Sequence, residues 1–244
     1  MLQPGSRIQS LLPVAFLIIF AAAFAIAQQS SENKHNTRPE TPVAPVATSG
    51  EKRAAASYSY EFTQPDFLVR RILIEHDAEG RGRISFEKKN EDTPVTEPLD
   101  ISPSTIARVV SLWDSLRFLD STENYQTSRQ YPHLGTMRLK MQQGSRNRTA
   151  EFNWTNDKNA SLLVNEYRRM ADQALLIFDI SVARESQPLN TPKLMEQFEA
   201  LLKRNGLADP KQLVPLLQDI NVDEHLPLIA RNHALRLIKK IEKP

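Results

Sequence analysis

Two pairs of segments with strand-like apolar patterns predict two β-hairpins. Residues 67–77 carry β-branched and aromatic side chains on both faces, which is typical of a central strand. Residues 82–89 alternate between apolar and polar side chains, as a half-buried strand does. Gly80 suits the left-handed position of a three-residue loop between them. This loop pairs Ile74 with Ile84, so apolar side chains meet on one face.

The second pair flanks Gly144–Ser145, which fits a two-residue turn with glycine in the first position. This turn pairs Met137 with Phe152 and keeps apolar and charged side chains on opposite faces. The same alternation, continued to the end of the segment, predicts that Trp154 points inward.

Apolar residues spaced by about 3.6 positions predict a helix after each hairpin. Ser102 and Pro103 supply an N-cap and a first helical residue, and this helix ends near Leu119. Asn156 or Asp157 can cap a second helix over about 158–183. The predicted fold class is therefore α+β, with an antiparallel sheet of two hairpins and helices on one face.

Two connections lack a regular pattern. Pro94 and Pro98 mark an irregular segment between the first hairpin and its helix. Residues 120–135 form a loop that is longer than ordinary connections, so it is either functional or mobile. We expect it either to contact a ligand or to fold over the sheet edge. Its candidate ligand-binding residues are Tyr125, Arg129, Tyr131 and His133.

Residues 187–244 predict a small all-α helical tail after the α+β part. Helices begin at Thr191 and near Asp209, and Pro215 should kink the second of them. Asp223 is predicted to cap the last helix. The residues expected to face inward in that helix are Leu226, Ile229, His233 or Ala230, Leu237 and Ile241.

The segments 209–219 and 226–241 resemble one HEAT-type helical pair. HEAT modules stack in arrays and bind protein partners, so the resemblance implies a protein-binding surface. A single pair does not make an array, and the other interpretation is a small helical appendage packed against the α+β part. The matching residues are Pro215, Asp219, Arg231, Ala234, Leu235 and Ile238.

The order of hairpins and helices, with the stretch WDSLRFLD at 113–120, resembles a family of exported bacterial domains of unknown function. Such domains often carry cysteines near the first hairpin, and this chain has no cysteine. The family has no established activity, so the resemblance implies no catalytic residues.

The apolar stretch Leu11–Ala27 has the features of a secretory signal. Arg7 precedes it, and Ala25-Ile26-Ala27 offers the small residues that a signal peptidase requires. The sequence therefore predicts a signal peptide over 1–27 and an exported protein, periplasmic or extracellular. The alternative is an uncleaved membrane anchor, because the run lies at the lower limit of a spanning length.

Composition divides the remainder of the chain. Residues 28–57 are poor in hydrophobic side chains and rich in proline and serine, which predicts a disordered linker before an α+β domain over 58–186. The absence of cysteine excludes disulfides, zinc–thiolate sites and thiol nucleophiles. A formal net charge of +2 gives no global field that would attract nucleic acid or anionic lipid.

No nucleophile elbow, phosphate-binding loop or HExxH motif occurs in the sequence. In Glu75-His76-Asp77, strand alternation sends the histidine to the opposite face from the carboxylates, so no metal site is predicted, and no cofactor is implied. Basic residues cluster on both hairpins. They could form a groove that binds an anionic polymer, or they could simply cover a solvent-exposed outer face of the sheet.

These features favour an exported, non-catalytic binding or interaction protein with a protein or envelope partner and no nucleic acid. It would contact a membrane only if the N-terminal segment stays uncleaved. The alternative is an envelope hydrolase whose site is assembled only in the fold.

Overall fold

The computed structural model describes residues 55–89, 91 and 93–243. The predicted signal segment 1–27 and nearly all of the predicted linker 28–57 lie outside these residues. Within the described part of the chain, no helix has both the length and the apolar character needed to cross a bilayer.

A six-stranded antiparallel sheet forms the centre of the fold, in the order β4-β3-β2-β1-β5-β6. Helices pack on one face of it and continue into a helical tail, so the predicted α+β class is confirmed. The sheet contains both predicted hairpins and two further strands. The strands are β1 (Ala56–Thr63), β2 (Val69–Asp77), β3 (Arg81–Lys88), β4 (Val95–Asp100), β5 (Thr136–Gln143) and β6 (Arg146–Phe152).

The registers of both hairpins are as predicted. Ile74 pairs with Ile84 in the first hairpin, and Met137 pairs with Phe152 in the second. Gly80 adopts a φ of +88° in the first turn, a conformation that glycine takes without steric cost. All four paired side chains are buried, because the matching parity directs them to the face that the helices cover.

Strand β4 corrects the prediction of an irregular proline-rich connection, and strand β1 lies in a segment for which no element was predicted. In β1, Tyr58, Tyr60 and Phe62 alternate with polar residues, and the strand joins the hairpins by pairing with both β2 and β5. β4 forms despite Pro98, because it is an edge strand with a partner on one side only.

Five α-helices complete the described part of the chain. Ser102 caps the first by accepting a hydrogen bond from the backbone N–H of Thr105, and Asp157 caps the second by accepting one from Ala160 at 2.7 Å. Both predicted caps are therefore confirmed. The helices are α1 (Pro103–Ser115), α2 (Lys158–Ser186), α3 (Thr191–Lys203), α4 (Val214–Val222) and α5 (Leu228–Glu242).

Helix α2 contributes to two hydrophobic cores. Its first part packs with α1 against the inner face of the sheet, around the buried residues Trp113 and Tyr167. Its last part packs against α3, α4 and α5, around Ile180 and Phe198. The tail is thus attached to the sheet through one continuous helix.

The start of the last helix differs from the prediction. Asp223 ends α4 rather than capping α5, which begins after Pro227. Consequently Ile229 points to solvent while Ala230 is buried. Pro215 lies in the first turn of α4, directly after a 3₁₀ turn, so the predicted kink is a change of helix type.

Candidate functional site

The loop over 120–135 packs along strand β6 at the edge of the sheet. The side chain of Gln126 accepts a hydrogen bond from the backbone N–H of Asn153 at 2.8 Å and donates to the Asn153 side-chain oxygen at 3.1 Å. Arg148 donates to the backbone carbonyls of Phe118 and Glu123 at 2.8 and 2.6 Å. The loop therefore folds over the sheet edge and is held there by polar contacts.

Tyr125, one of the four predicted ligand-binding residues, lies in the core. Tyr125 is 5% exposed; its ring is stacked on that of Phe118, with centres 6.2 Å apart, and is tilted against that of Phe152 at 5.9 Å. Its hydroxyl lies 3.4 Å from Arg148. In this position Tyr125 anchors the loop instead of facing solvent.

The other three predicted residues meet on the surface beside an aromatic side chain. The guanidinium of Arg129 lies 5.0 Å from the centre of the Tyr131 ring, and the ring of His133 lies 6.2 Å from it. Tyr131 in turn lies 5.7 Å from Trp154. Trp154 was predicted to point inward, but it is 48% exposed because β6 ends at Phe152.

Trp154 forms one wall of a cleft of about 360 Å³ between the sheet and α2. Aromatic side chains from β1 and from the β1–β2 turn form the other walls, and α2 contributes charged groups. The residues that matter for its chemistry are Tyr60, Phe62, Phe67, Trp154, Arg168 and Asp172.

Contacts between the β1–β2 turn and the loop hold these walls in place. The buried side chain of Gln64 donates to the carbonyls of Pro132 and His133 at 3.0 and 2.9 Å. Gly135 has a φ of +84°, and a Cβ there would lie 2.6 Å from the ring of Phe62. Glycine is therefore required where the loop passes over this wall.

The hydroxyl of Tyr60 is buried at the cleft without a hydrogen-bond partner among the described residues. The residue is 1% exposed, and its ring stacks 5.0 Å from that of Tyr167. Burial raises the pKa of Tyr60 to about 12, while the nearby positive charge of Arg168 opposes this shift. The guanidinium of Arg168 is close enough to lower the pKa of Tyr60 both by its charge and as a hydrogen-bond donor, but its geometry relative to the hydroxyl falls short of a formed hydrogen bond.

Arg168 and Asp172 lie one turn apart on α2 and differ in their partners. Arg168 donates to the sulfur of Met137 at 3.4 Å and makes no ion pair with a described carboxylate within 4.0 Å. Asp172 pairs with Arg204 at 3.4 Å. Burial raises the pKa of Asp172, and the charge of Arg204 partly offsets that effect. The cleft thus holds one cation whose charge is not neutralised by direct contact.

Ion pairs cover the outer face of the sheet. Glu61 contacts Arg71 at 2.6 Å and Arg138 at 2.9 Å, and Glu87 and Glu151 extend this ladder on either side. Several basic residues of the hairpins, Arg71 and Arg138 among them, are therefore compensated by carboxylates on the same face, as on a solvated sheet surface.

His76 belongs to a buried polar network. Its Nε2 lies 2.8 Å from the Tyr167 hydroxyl, which also accepts a hydrogen bond from the indole of Trp113 at 3.0 Å. Its Nδ1 lies 2.7 Å from the backbone carbonyl of Asp77, so we place the proton on Nδ1. Burial lowers the pKa of His76 and keeps the ring neutral. Within the described residues, no three potential ligands are grouped to hold a metal ion.

No protein-family model and no curated protein matches this chain. The cleft is the best candidate site, and none of the four residues predicted to bind a ligand is among the residues that line it. The alternation of Tyr58, Tyr60 and Phe62 with polar residues is the signal that could have placed two of them on one strand face. No local signal joins Arg168 to that strand, because the two meet only through the packing of α2.

Proposed function

We propose that this chain is an exported, non-catalytic binding protein whose cleft takes a small ligand with an apolar ring and a carboxylate. The buried Tyr60 hydroxyl, which has no hydrogen-bond partner among the residues that the structure describes, is the observation that carries this proposal, because buried polar groups are nearly always hydrogen-bonded. A ligand oxygen between this hydroxyl and Arg168 would satisfy both donors.

The walls of the cleft support the apolar part of the ligand. The rings of Phe62 and Phe67 lie 6.0 Å apart, and Phe67 and Trp154 are about half exposed. Large aromatic surfaces that face a concave site gain free energy when a ring covers them. A few directed polar groups among apolar walls are the usual composition of a small-molecule site.

Export and partners extend this proposal beyond the described residues. Export rests on Leu11–Ala27 alone, and membrane contact would require that segment to remain uncleaved. A protein or envelope partner is supported by three apolar side chains at the α4–α5 connection, Val222, Leu228 and Ile229, each about two-thirds exposed.

A hydrolase is the second candidate, and Asp172 is the observation that favours it. A carboxyl group with a raised pKa in a cleft suits a general acid. Acid–base hydrolysis also needs a base or nucleophile within reach of the same substrate. The residues that line the cleft supply no histidine, serine or second carboxylate for this role, so binding is the better supported function.

The test uses the full chain with ¹³C-labelled methionine methyl groups. The chain has five methionines, and Met137 contacts Arg168, so its methyl signal reports on the cleft. Phenylacetate should shift this signal saturably, whereas phenylacetamide, which lacks the charge, should bind more weakly. Arg168→Gln should weaken phenylacetate binding about tenfold, as expected for loss of a charge-assisted hydrogen bond.

Lys140→Gln is the matched control, because it removes one positive charge from the outer face of the sheet. It should leave the phenylacetate affinity unchanged. Equal binding of the acid and the amide, or no shift of Met137 with either, would overturn the ligand assignment. Hydrolysis of phenylacetate esters that depends on Asp172 would instead favour the hydrolase.

A further inference from the structure

A second cavity, of about 390 Å³, lies on the other side of α2 from the cleft. It is enclosed by the edge strand β4, the start of α1, α2 and the tail residues Ala208–Leu213. Its walls are mostly apolar, with Ile101, Met170 and Phe178 among them. This volume falls within the range of about 300–1,000 Å³ that is typical of small-molecule sites.

Both charged residues that line the cavity are acidic. Glu97 pairs with the fully buried Ile84 across β3 and β4, so strand alternation turns its side chain toward the helices. Asp100 lies at the end of the same strand. Among the described residues, neither Glu97 nor Asp100 makes an ion pair within 4.0 Å.

Two cations that contact residues of the cavity wall, Lys88 and Arg108, are engaged by other groups. Lys88 pairs with Asp179 at 3.1 Å, and its ammonium lies 4.9 Å from the centre of the Phe178 ring. Arg108 pairs with Glu166 at 3.2 Å and donates to the backbone carbonyl of Ala208 at 3.1 Å, on the far side of the cavity wall. Neither of these two cations pairs with Glu97.

The two glutamines that line the cavity have partners within the protein. Gln212 donates to the backbone carbonyl of Asp100 at 2.8 Å and accepts from Gln173 at 3.3 Å. Gln173 also accepts from the backbone N–H of Asp209 at 2.9 Å. Of the two acidic side chains, Glu97 is the one that strand alternation turns toward the helices, so it is the group that a ligand in the cavity would complement.

We infer that this cavity binds a small apolar amine, with the ammonium group paired to Glu97 and the hydrocarbon part among the side chains of α2 and the tail. Charge complementarity selects the cation, because the lining carries two acids and no basic residue. The apolar walls select the hydrocarbon part, since its burial removes apolar surface from water. The cleft of the proposed function favours an anionic ligand, whereas this cavity favours a cation. The inference about the cavity does not rest on the proposed function of the cleft.

The methyl group of Met170 lies in the wall of this cavity and serves as its reporter, while Met137 reports on the cleft. The full chain with labelled methionine methyl groups is titrated with n-octylammonium, octanol and octanoate below their aggregation limits. n-Octylammonium should shift the Met170 signal saturably, and octanol should bind about tenfold more weakly, as for a lost charge-assisted contact. Octanoate should not shift it.

Glu97→Gln keeps the shape of the side chain and should weaken n-octylammonium binding about tenfold. Glu123→Gln, in the loop on the opposite edge of the sheet, makes the same charge change and should leave the affinity unchanged. Thermal unfolding of both variants checks that they fold.

Three results would overturn the inference: equal affinity of the amine and octanol, an unchanged affinity in Glu97→Gln, or no shift of Met170 with any probe. Because Met137 is read in the same spectra, failure at the cavity is distinguishable from failure at the cleft.

Discussion

The same substitution, tyrosine to phenylalanine, should have opposite effects on stability at two stacked tyrosines. Tyr60 and Tyr167 are both fully buried, and their rings lie 5.0 Å apart in nearly parallel planes. The Tyr167 hydroxyl has two partners, His76 and Trp113, whereas the Tyr60 hydroxyl has none among the described residues. Tyrosine-to-phenylalanine substitution removes one oxygen at either position and leaves the ring packing in place.

The expected magnitudes follow from these partners. Tyr167→Phe leaves the indole N–H of Trp113 and the Nε2 of His76 buried without partners, and each such group costs about 1–3 kcal/mol. We therefore expect the free energy of unfolding to fall by about 2–6 kcal/mol, a large part of the roughly 5–15 kcal/mol that a domain has. The Tyr60 hydroxyl loses its water contacts on folding and gains no hydrogen bond from a described residue. Tyr60→Phe removes this hydroxyl, so the free energy of unfolding should rise by about 1–2 kcal/mol.

Urea unfolding at pH 7.5, followed by tryptophan fluorescence, measures both changes, with the slope against urea as a check that the two-state treatment holds. Tyr60→Phe should also weaken phenylacetate binding at the Met137 reporter while it raises stability. A loss of stability in Tyr60→Phe comparable to that in Tyr167→Phe would mean that the Tyr60 hydroxyl is satisfied within the protein. That result would refute the argument that the cleft awaits a ligand oxygen.

Three further expectations concern stability. Burial lowers the pKa of His76 below 6.5, so the unfolded chain protonates first and the urea midpoint should fall as pH drops below about 6.5. Hydrogen bonds from Lys240 and Lys203 lower the pKa of Glu199 to about 2, so its contribution should be lost between about pH 4.5 and 2, and Glu199→Gln should abolish that part of the acid dependence. Gly135→Ala should lower the free energy of unfolding by more than about 1 kcal/mol, because of the positive φ and the contact with Phe62.

The hairpins could be predicted from the sequence because local turn chemistry and side-chain parity specify the same register. Gly80 and Gly144 determine where the chain reverses direction in each hairpin. A shift of the strand register by one residue would turn every buried side chain of the strand to solvent. The helix caps are equally local, since Ser102 and Asp157 bond to backbone groups three residues away.

Strands β1 and β4 were missed for different physical reasons. β1 has a clear alternation of apolar and polar residues, but no short turn shows where it pairs. It lies between β2, which follows it in sequence, and β5, which is distant in sequence. β4 contains Pro98, which a central strand excludes and an edge strand tolerates. Both strands depend on the order of strands in the sheet, and no local sequence signal specifies that order.

The placement of the two proposed sites follows from the geometry of α2. With 3.6 residues per turn, the buried stripe around Tyr167 has Arg168 and Asp172 on one side and Met170 and Ile177 on the other. One helix therefore presents a cation to an aromatic cleft and an apolar surface to a cavity with acidic residues.

This arrangement makes the charge dependence of binding diagnostic. An apolar probe that adsorbs without specificity, for example to the segment Leu11–Ala27, would not distinguish acid from amine at either methionine reporter. Selective binding requires that phenylacetate act at Met137 and n-octylammonium at Met170. If phenylacetate acted at Met170 and n-octylammonium at Met137, the electrostatic interpretation of both sites would be contradicted. The same helix, α2, contributes residues to the cleft that favours an anion and to the cavity that favours a cation.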